Sequence, residues 1–151
     1  MPAQRLQQYL DQQGVKYRVI THSPAFTAQD VAEVAHVPGS VMAKVVIMTL
    51  DGQMTMIVVP APKRIHTDSL AQALSAQEVA FLHENDFREK FPDCQVGALP
   101  PFGNLYEMPV YIDTELAHQQ EIVFSAGSYR ELFSLPVKDY LRLVQPKQFA
   151  D

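Results

Sequence analysis

Lys44 is the one charged residue in the run VMAKVVIMTL, and on a strand its side chain shares a face with Met42, Val46, Met48 and Leu50. An ammonium without a partner is costly to bury. Such a lysine must reach an acceptor, open into a cavity, or hold its proton less tightly than a solvated one. Each outcome suits a lysine that meets a ligand. A lysine on an edge strand whose stem snorkels to solvent gives the same pattern, and position alone does not separate the two readings.

A second feature is GALPPFG, Gly97 to Gly103, in which two glycines flank a Pro-Pro-Phe centre and make a constrained loop whose backbone can approach a ligand closely. The amides of Gly97 and Ala98 could donate to a developing oxyanion, whereas Pro100 and Pro101 have no N–H to give. An ordinary turn has the same composition. The segment SAGS, Ser125 to Ser128, ends an apolar run with a glycine and is a third candidate wall, although strand-end turns look alike.

Other chemistries find no support in the spacing. The five histidines, His22, His36, His66, His83 and His118, form no HxH or HExxH arrangement, so neither a metal site nor any cofactor is expected. Cys94, the single cysteine, lies in FPDCQV without a neighbouring base and reads as a structural thiol. A Gly-x-Ser-x-Gly elbow and a phosphate-cradling Gly-rich loop are both missing, which argues against serine hydrolases and nucleotide hydrolysis. Lys63 and Arg64, followed by His66, could touch a phosphate or simply form a solvated turn.

The elements that would position these residues follow from periodicity and turn chemistry. Leu6, Tyr9 and Leu10 share a helical face that Gly14 ends, and YRVITH follows as a strand. Thr27 to Ala35 is predicted as a short helix with Thr27 as its N-cap. The Lys44 run and MTMIVVP form a hairpin around Asp51-Gly52, apolar on both faces and therefore covered on both sides. A helix over Thr67 to Leu74, capped by Thr67 or Asp68, and another over Asn85 to Phe91 come next. PVYID, EIVFSA and ELFSL are predicted strands, and a last helix starts near Pro136. Without a regular βαβ alternation the class is α+β: a single compact domain over 1–151, with a mixed, curved central sheet flanked by short helices.

Composition sets the outer bounds. A chain of 151 residues with 47% hydrophobic residues can bury one good core. Its 12 Lys plus Arg against 17 Asp plus Glu give a net charge of -5, so any contact with nucleic acid must be local or helped by a partner. One cysteine, no signal-like N-terminus and no long apolar run point to a cytoplasmic protein without a membrane partner. With no heptad and no long apolar surface stripe, a monomer is expected.

The order of these features resembles the YbaK/ProX family, which includes free-standing editing proteins and the editing insertion of bacterial prolyl-tRNA synthetases. The resemblance runs through His22-x-Pro24, Thr27-Ala28, Ala32, Gly39, Lys44 within GSVMAKVVIM, IVVPAPKRI, GALPPFG, PVYID and VFSAG, nearly the whole chain. It implies a deacylase that hydrolyses the ester between a wrong amino acid and its tRNA, with Lys44, Gly97 and Ala98 as the catalytic group. His22, Thr27, Met42, Val46, Pro100, Pro101, Phe102, Gly103, Ser125, Gly127 and Ser128 are the expected substrate-binding residues. The partners implied are the acceptor end of a mischarged tRNA and a synthetase. An aminoacyl ester is already activated, so orienting a water or the terminal ribose hydroxyl and stabilising the oxyanion suffice.

Two departures limit the transfer. Some synthetase-embedded relatives carry a histidine near SAGSYREL, where this chain has Ser128, Tyr129 and Arg130, and PAPKRI stands where many relatives have a glycine and an acidic residue. Two other functions fit the same residues: a non-catalytic module that binds aminoacyl-tRNA or a synthetase, and a hydrolase of small aminoacyl esters that never meets tRNA.

Overall fold

The computed structural model describes residues 4–151. In chain order the elements are α1 (Gln4–Gln12), β1 (Arg18–Thr21), α2 (Ala28–Val34), β2 (Ala43–Leu50), β3 (Gln53–Pro60), α3 (Thr67–Ala73), β4 (Val79–Phe81) and α4 (Glu84–Phe87), then β5 (Val110–Asp113), α5 (Thr114–Ala117), β6 (Glu121–Ser125), β7 (Glu131–Pro136), α6 (Val137–Val144) and β8 (Lys147–Phe149). Short 3-10 turns lie at Arg88–Lys90 and Gly103–Tyr106.

The strands divide between a five-stranded mixed sheet, β4-β2-β3-β5-β8, and a three-stranded antiparallel sheet, β1-β7-β6. β2 runs antiparallel to both β3 and β4, whereas β3, β5 and β8 are parallel. A single parallel bridge between Met42 and Val123 joins the sheets. The domain is α+β with a mixed sheet and short flanking helices, as the sequence leads one to expect.

The hairpin forms because Asp51 and Gly52 can take positive φ, 50° and 83°, which a two-residue turn between twisted strands needs. Leu50 pairs with Gln53 across it, and that register carries Lys44 opposite Val59. Both faces of the hairpin are covered. Ala43, Ile47, Met56 and Val58 belong to the main core, while Met48, Ile57 and Val59 pack under Leu70 of α3 on the other face. Thr27 caps α2 by accepting from the Asp30 amide at 3.1 Å. The cap of α3 differs from expectation: His66 occupies it without a side-chain bond, and Thr67 is already helical. No helix among the described residues is long and apolar enough to cross a membrane.

Gly103 shows how tightly the second half of GALPPFG is packed. A Cβ there would lie 2.6 Å from Val110 Cγ2 and 2.9 Å from the Met108 carbonyl oxygen, so even a methyl group forces the backbone to shift. Gly103→Ala is therefore expected to lower stability by about 1–3 kcal/mol, read from the midpoint of urea unfolding. An unchanged midpoint would mean that the loop has room for a side chain.

Candidate active site

Lys44 lies on β2 between two apolar clusters. Met42, with Val41, Ala61 and Val123, is on one side, and Val46 and Met48, with Ile57 and Val59, are on the other. The lysine itself is half-buried, and its Nζ donates to the main-chain carbonyl of Lys63, in the turn after β3. Lys63 is held in turn, because its own Nζ pairs with Asp113, a carboxylate only 1% exposed. Asp113 Oδ1 also accepts the Glu115 amide at 2.8 Å and so caps α5. A chain of bonds thus runs from the end of β5 through Lys63 to the Lys44 ammonium. Burial pushes the Lys44 pKa below its ordinary value, and the nearby Arg64 charge lowers it further.

Beside Lys44, one edge of β2 is open. β4 pairs with Met48 to Leu50, Ile47 O accepts the Leu82 amide at 3.4 Å and β6 bridges at Met42, so Val45 and Val46 make no bond on that edge among the described residues and, with Ile47, wall a gap opposite Val96, Gly97 and Leu99. Between them is a cleft of about 190 Å³, walled largely by apolar side chains, including Ile47, Phe81, Leu82 and Leu99, with Glu84 as its one ionisable residue.

Gly97 adopts φ +89°, a conformation glycine reaches without strain, and a Cβ there would sit 3.1 Å from the Phe26 carbonyl oxygen. Its N–H makes no hydrogen bond among the described residues, whereas Ala98 N–H already donates to Gln95 O at 3.0 Å. The loop is stitched to SAGS: Gly127 N donates to Ala98 O at 2.9 Å, and Gln95 N donates to Gly127 O at 2.8 Å. Tyr129 completes the seam through its hydroxyl on Val96 O and its amide on Gln95 Oε1 at 2.7 Å.

The other expected binding residues fall in different places. Met42 and Val46 flank Lys44 on its own face. Phe102 is fully buried in the main core against Tyr9, Phe124 and Tyr140, and Pro101 O accepts the Tyr140 hydroxyl at 2.6 Å. Pro100 is buried beside them, so Pro100 to Gly103 anchors the loop. Thr27 spends its hydroxyl on the α2 cap. Ser125 and Ser128 are buried, and Ser128 Oγ accepts the Arg130 amide at 3.3 Å. His22 Nδ1 faces the Ser23 carbonyl at 2.6 Å, so that nitrogen carries the proton, and Nε2 is buried without a partner among the described residues.

Asp113, Gln95 and Tyr129 were missed in the sequence. Asp113 did leave a trace, as the acid that closes the otherwise apolar strand PVYID. A hollow of about 600 Å³ lies elsewhere, over Lys16, Tyr17, Arg18 and Glu121. It is wide open, contains neither Lys44 nor Gly97, and its Arg18 is paired with Glu121 at 3.4 Å. The smaller cleft is the one that Gly97 lines, with Lys44 adjoining its Val45 and Val46 wall in the chain. No group of three or more His, Cys, Asp or Glu among the described residues could hold a metal ion.

The sequence profile of the aminoacyl-tRNA editing domain matches residues 22–143, a span that includes Lys44, Gly97 and Asp113. The chain belongs to that family. The YbaK/ProX resemblance and the family match agree, and membership makes the protein an aminoacyl-tRNA deacylase, a hydrolase of the ester between amino acid and tRNA. Among curated proteins it is similar to the multifunctional Ser/Thr-tRNA deacylase ProXp-y of Escherichia coli K12, at 27% identity over 149 residues, covering 95% of this chain and 89% of the relative. Among solved structures it is similar to a candidate trans-editing enzyme for prolyl tRNA synthetase, with TM-score 0.79, 20% identity and coverage of 99% and 96%. A protein described only as hypothetical gives TM-score 0.83 at 19% identity, covering 98% of both chains.

The Lys44 environment makes a direct prediction for the deacylase. In NMR of lysine-labelled protein, one lysine resonance is expected to titrate below the ordinary range and to vanish in Lys44→Met. Arg64→Ala removes a like charge and should move that titration upward. A Lys44 resonance that titrates with the solvated lysines would contradict the burial described here.

Proposed function

We propose that the deacylase removes small, wrongly attached amino acids from tRNA at the cleft between β2 and the Gly97 loop, with Lys44 supplying the charge for the reaction. The observation that carries this reading is the environment of Lys44: a half-buried ammonium whose partner is a neutral carbonyl, next in the chain to Val45 and Val46, which wall the cleft.

Water adds to the ester carbonyl carbon, forming a tetrahedral centre whose oxygen becomes negative. Lys44 and the Gly97 N–H donate to that oxygen. Collapse breaks the bond to the ribose oxygen, which takes one proton of the attacking water; the other passes to solvent, and the amino acid leaves as its carboxylate. Ala98, with its amide held by Gln95, keeps Gly97 in the donating conformation. Met42 and Val46 keep the lysine stem in place, and Gly127 with Ser125 and Ser128 supports the loop from behind. His22 and Thr27 belong to the strip along which the tRNA approaches.

A cleft of about 190 Å³ suits a small side chain. Together with the substrates named for the E. coli relative, this makes seryl and threonyl esters the first to try. A pocket separates neighbours one methylene apart by only about 10–200-fold, so more than one ester should be cleaved. The enzyme acts on the acceptor end of tRNA in the cytoplasm as a monomer, and its acidic surface leaves room for a synthetase to help present the tRNA.

The test incubates the protein with seryl-, threonyl-, alanyl- and cysteinyl-tRNAs and measures ester loss over the spontaneous rate. Faster loss for seryl- or threonyl-tRNA is expected. Cleavage of a free aminoacyl ester with no preference for tRNA would favour a small-ester hydrolase. No cleavage of any substrate, with or without a synthetase, would favour a binding module.

A further inference from the structure

Among the described residues four large apolar side chains are exposed, Val19, Phe26, Val34 and Phe81, and two of them belong to one strip beside the Gly97 loop. Phe26 is 64% exposed, yet its ring is fixed edge-on against Tyr129, with centroids 4.8 Å apart and planes at 82°. Tyr129 is itself bonded to Val96 and Gln95, so the exposed ring stands on a rigid support next to Gly97. The segment from His22 to Phe26 runs alongside Tyr129 and Arg130, with His22 N donating to Arg130 O at 2.9 Å and Ala25 N to Tyr129 O at 3.3 Å.

At the far end of this strip is an open cavity of about 560 Å³, walled by Thr21, His22, Val34, His36 and Arg130 among others. No carboxylate lines it, although the chain as a whole carries a net charge of -5. Arg130 and His36 are exposed there and make no ion pair among the described residues, whereas Arg18, Lys63, Arg88 and Arg142 all do. Glu33 and Glu131, the nearest acids in sequence, lie outside the wall.

We propose that this strip binds the unpaired 3′ end of the tRNA, with a base stacked on Phe26 and a neighbouring phosphate held by Arg130 and His36. The assignment rests on tRNA being the substrate. It also explains how an acidic protein holds a polyanion: a rigid aromatic face accepts any base, and the unpaired Arg130, with His36 as a hydrogen-bonding neighbour, supplies local rather than global attraction.

Binding of uncharged tRNA, which needs no turnover, tests the proposal in wild type, Phe26→Ala, Phe26→Trp and Arg130→Gln between about 50 and 200 mM salt. Phe26→Ala should weaken binding by about five- to a hundred-fold, and Phe26→Trp should retain it. Arg130→Gln should weaken binding and lower the slope of log affinity against log salt by about one. Wild-type affinity and slope in both Phe26→Ala and Arg130→Gln would overturn the proposal. Binding that depends on Phe26 and Arg130 in a protein that cleaves no ester would keep the strip and reject the catalytic reading. Variant-independent binding in an active deacylase would do the reverse.

Discussion

The candidate site is organised by the way three buried or half-buried charges are matched. Asp113 could neutralise one lysine, and Lys63 takes it. Lys44 is left with the Lys63 carbonyl, a dipole that fixes the ammonium in place without cancelling its charge. Arg64 adds further positive potential instead of relieving it. The site thus keeps an uncompensated positive charge, oriented in advance, in surroundings where a charge acts more strongly than in water. Such an arrangement favours whatever arrives carrying developing negative charge, and the tetrahedral oxygen of an ester under attack is that kind of group. The Lys63–Asp113 pair adds to the main-chain bonds of Lys63 to Pro60 and Ala61 to Met42 that hold the turn carrying this carbonyl.

The remaining architecture reads as support for this charge. The tight Asp51-Gly52 turn sets the register that carries Lys44 opposite Val59, and the short β4 stops before reaching Val45, leaving the edge open. Across the cleft the Gly97 loop has no regular structure of its own. It is held by bonds to Gly127 and Tyr129 and by Phe102 sunk in the core. The acyl-transfer role proposed for this loop needs such rigidity, since a donor placed an ångström away loses most of its effect.

Much of this was legible in the sequence because the signals were local. The hairpin followed from Asp51-Gly52 between two runs of β-branched residues, the α2 cap from Thr27, and the unusual position of Lys44 from one charge in an apolar run. The division into two sheets was not legible, since it depends on Met42 meeting Val123, a pairing of residues far apart in sequence. β4, α5 and β8 are three or four residues long, too short for a period to show. GALPPFG looked uniform as a string, yet Gly97 and Leu99 line the cleft while Pro100 to Gly103 are buried against the core. The role of Asp113 was hidden for the same reason as the sheet pairing, because its partner lies 50 positions away.

The most direct measurement is the single-turnover rate of ester hydrolysis by Lys44→Met at saturating seryl- or threonyl-tRNA. Met keeps the length and apolar stem of Lys but removes the charge. A fall of about a hundredfold to a thousandfold with tRNA affinity unchanged is the predicted result, the size expected for loss of one preorganised donor at the reacting oxygen. A rate equal to wild type would show that the Lys44 charge takes no part in the chemistry.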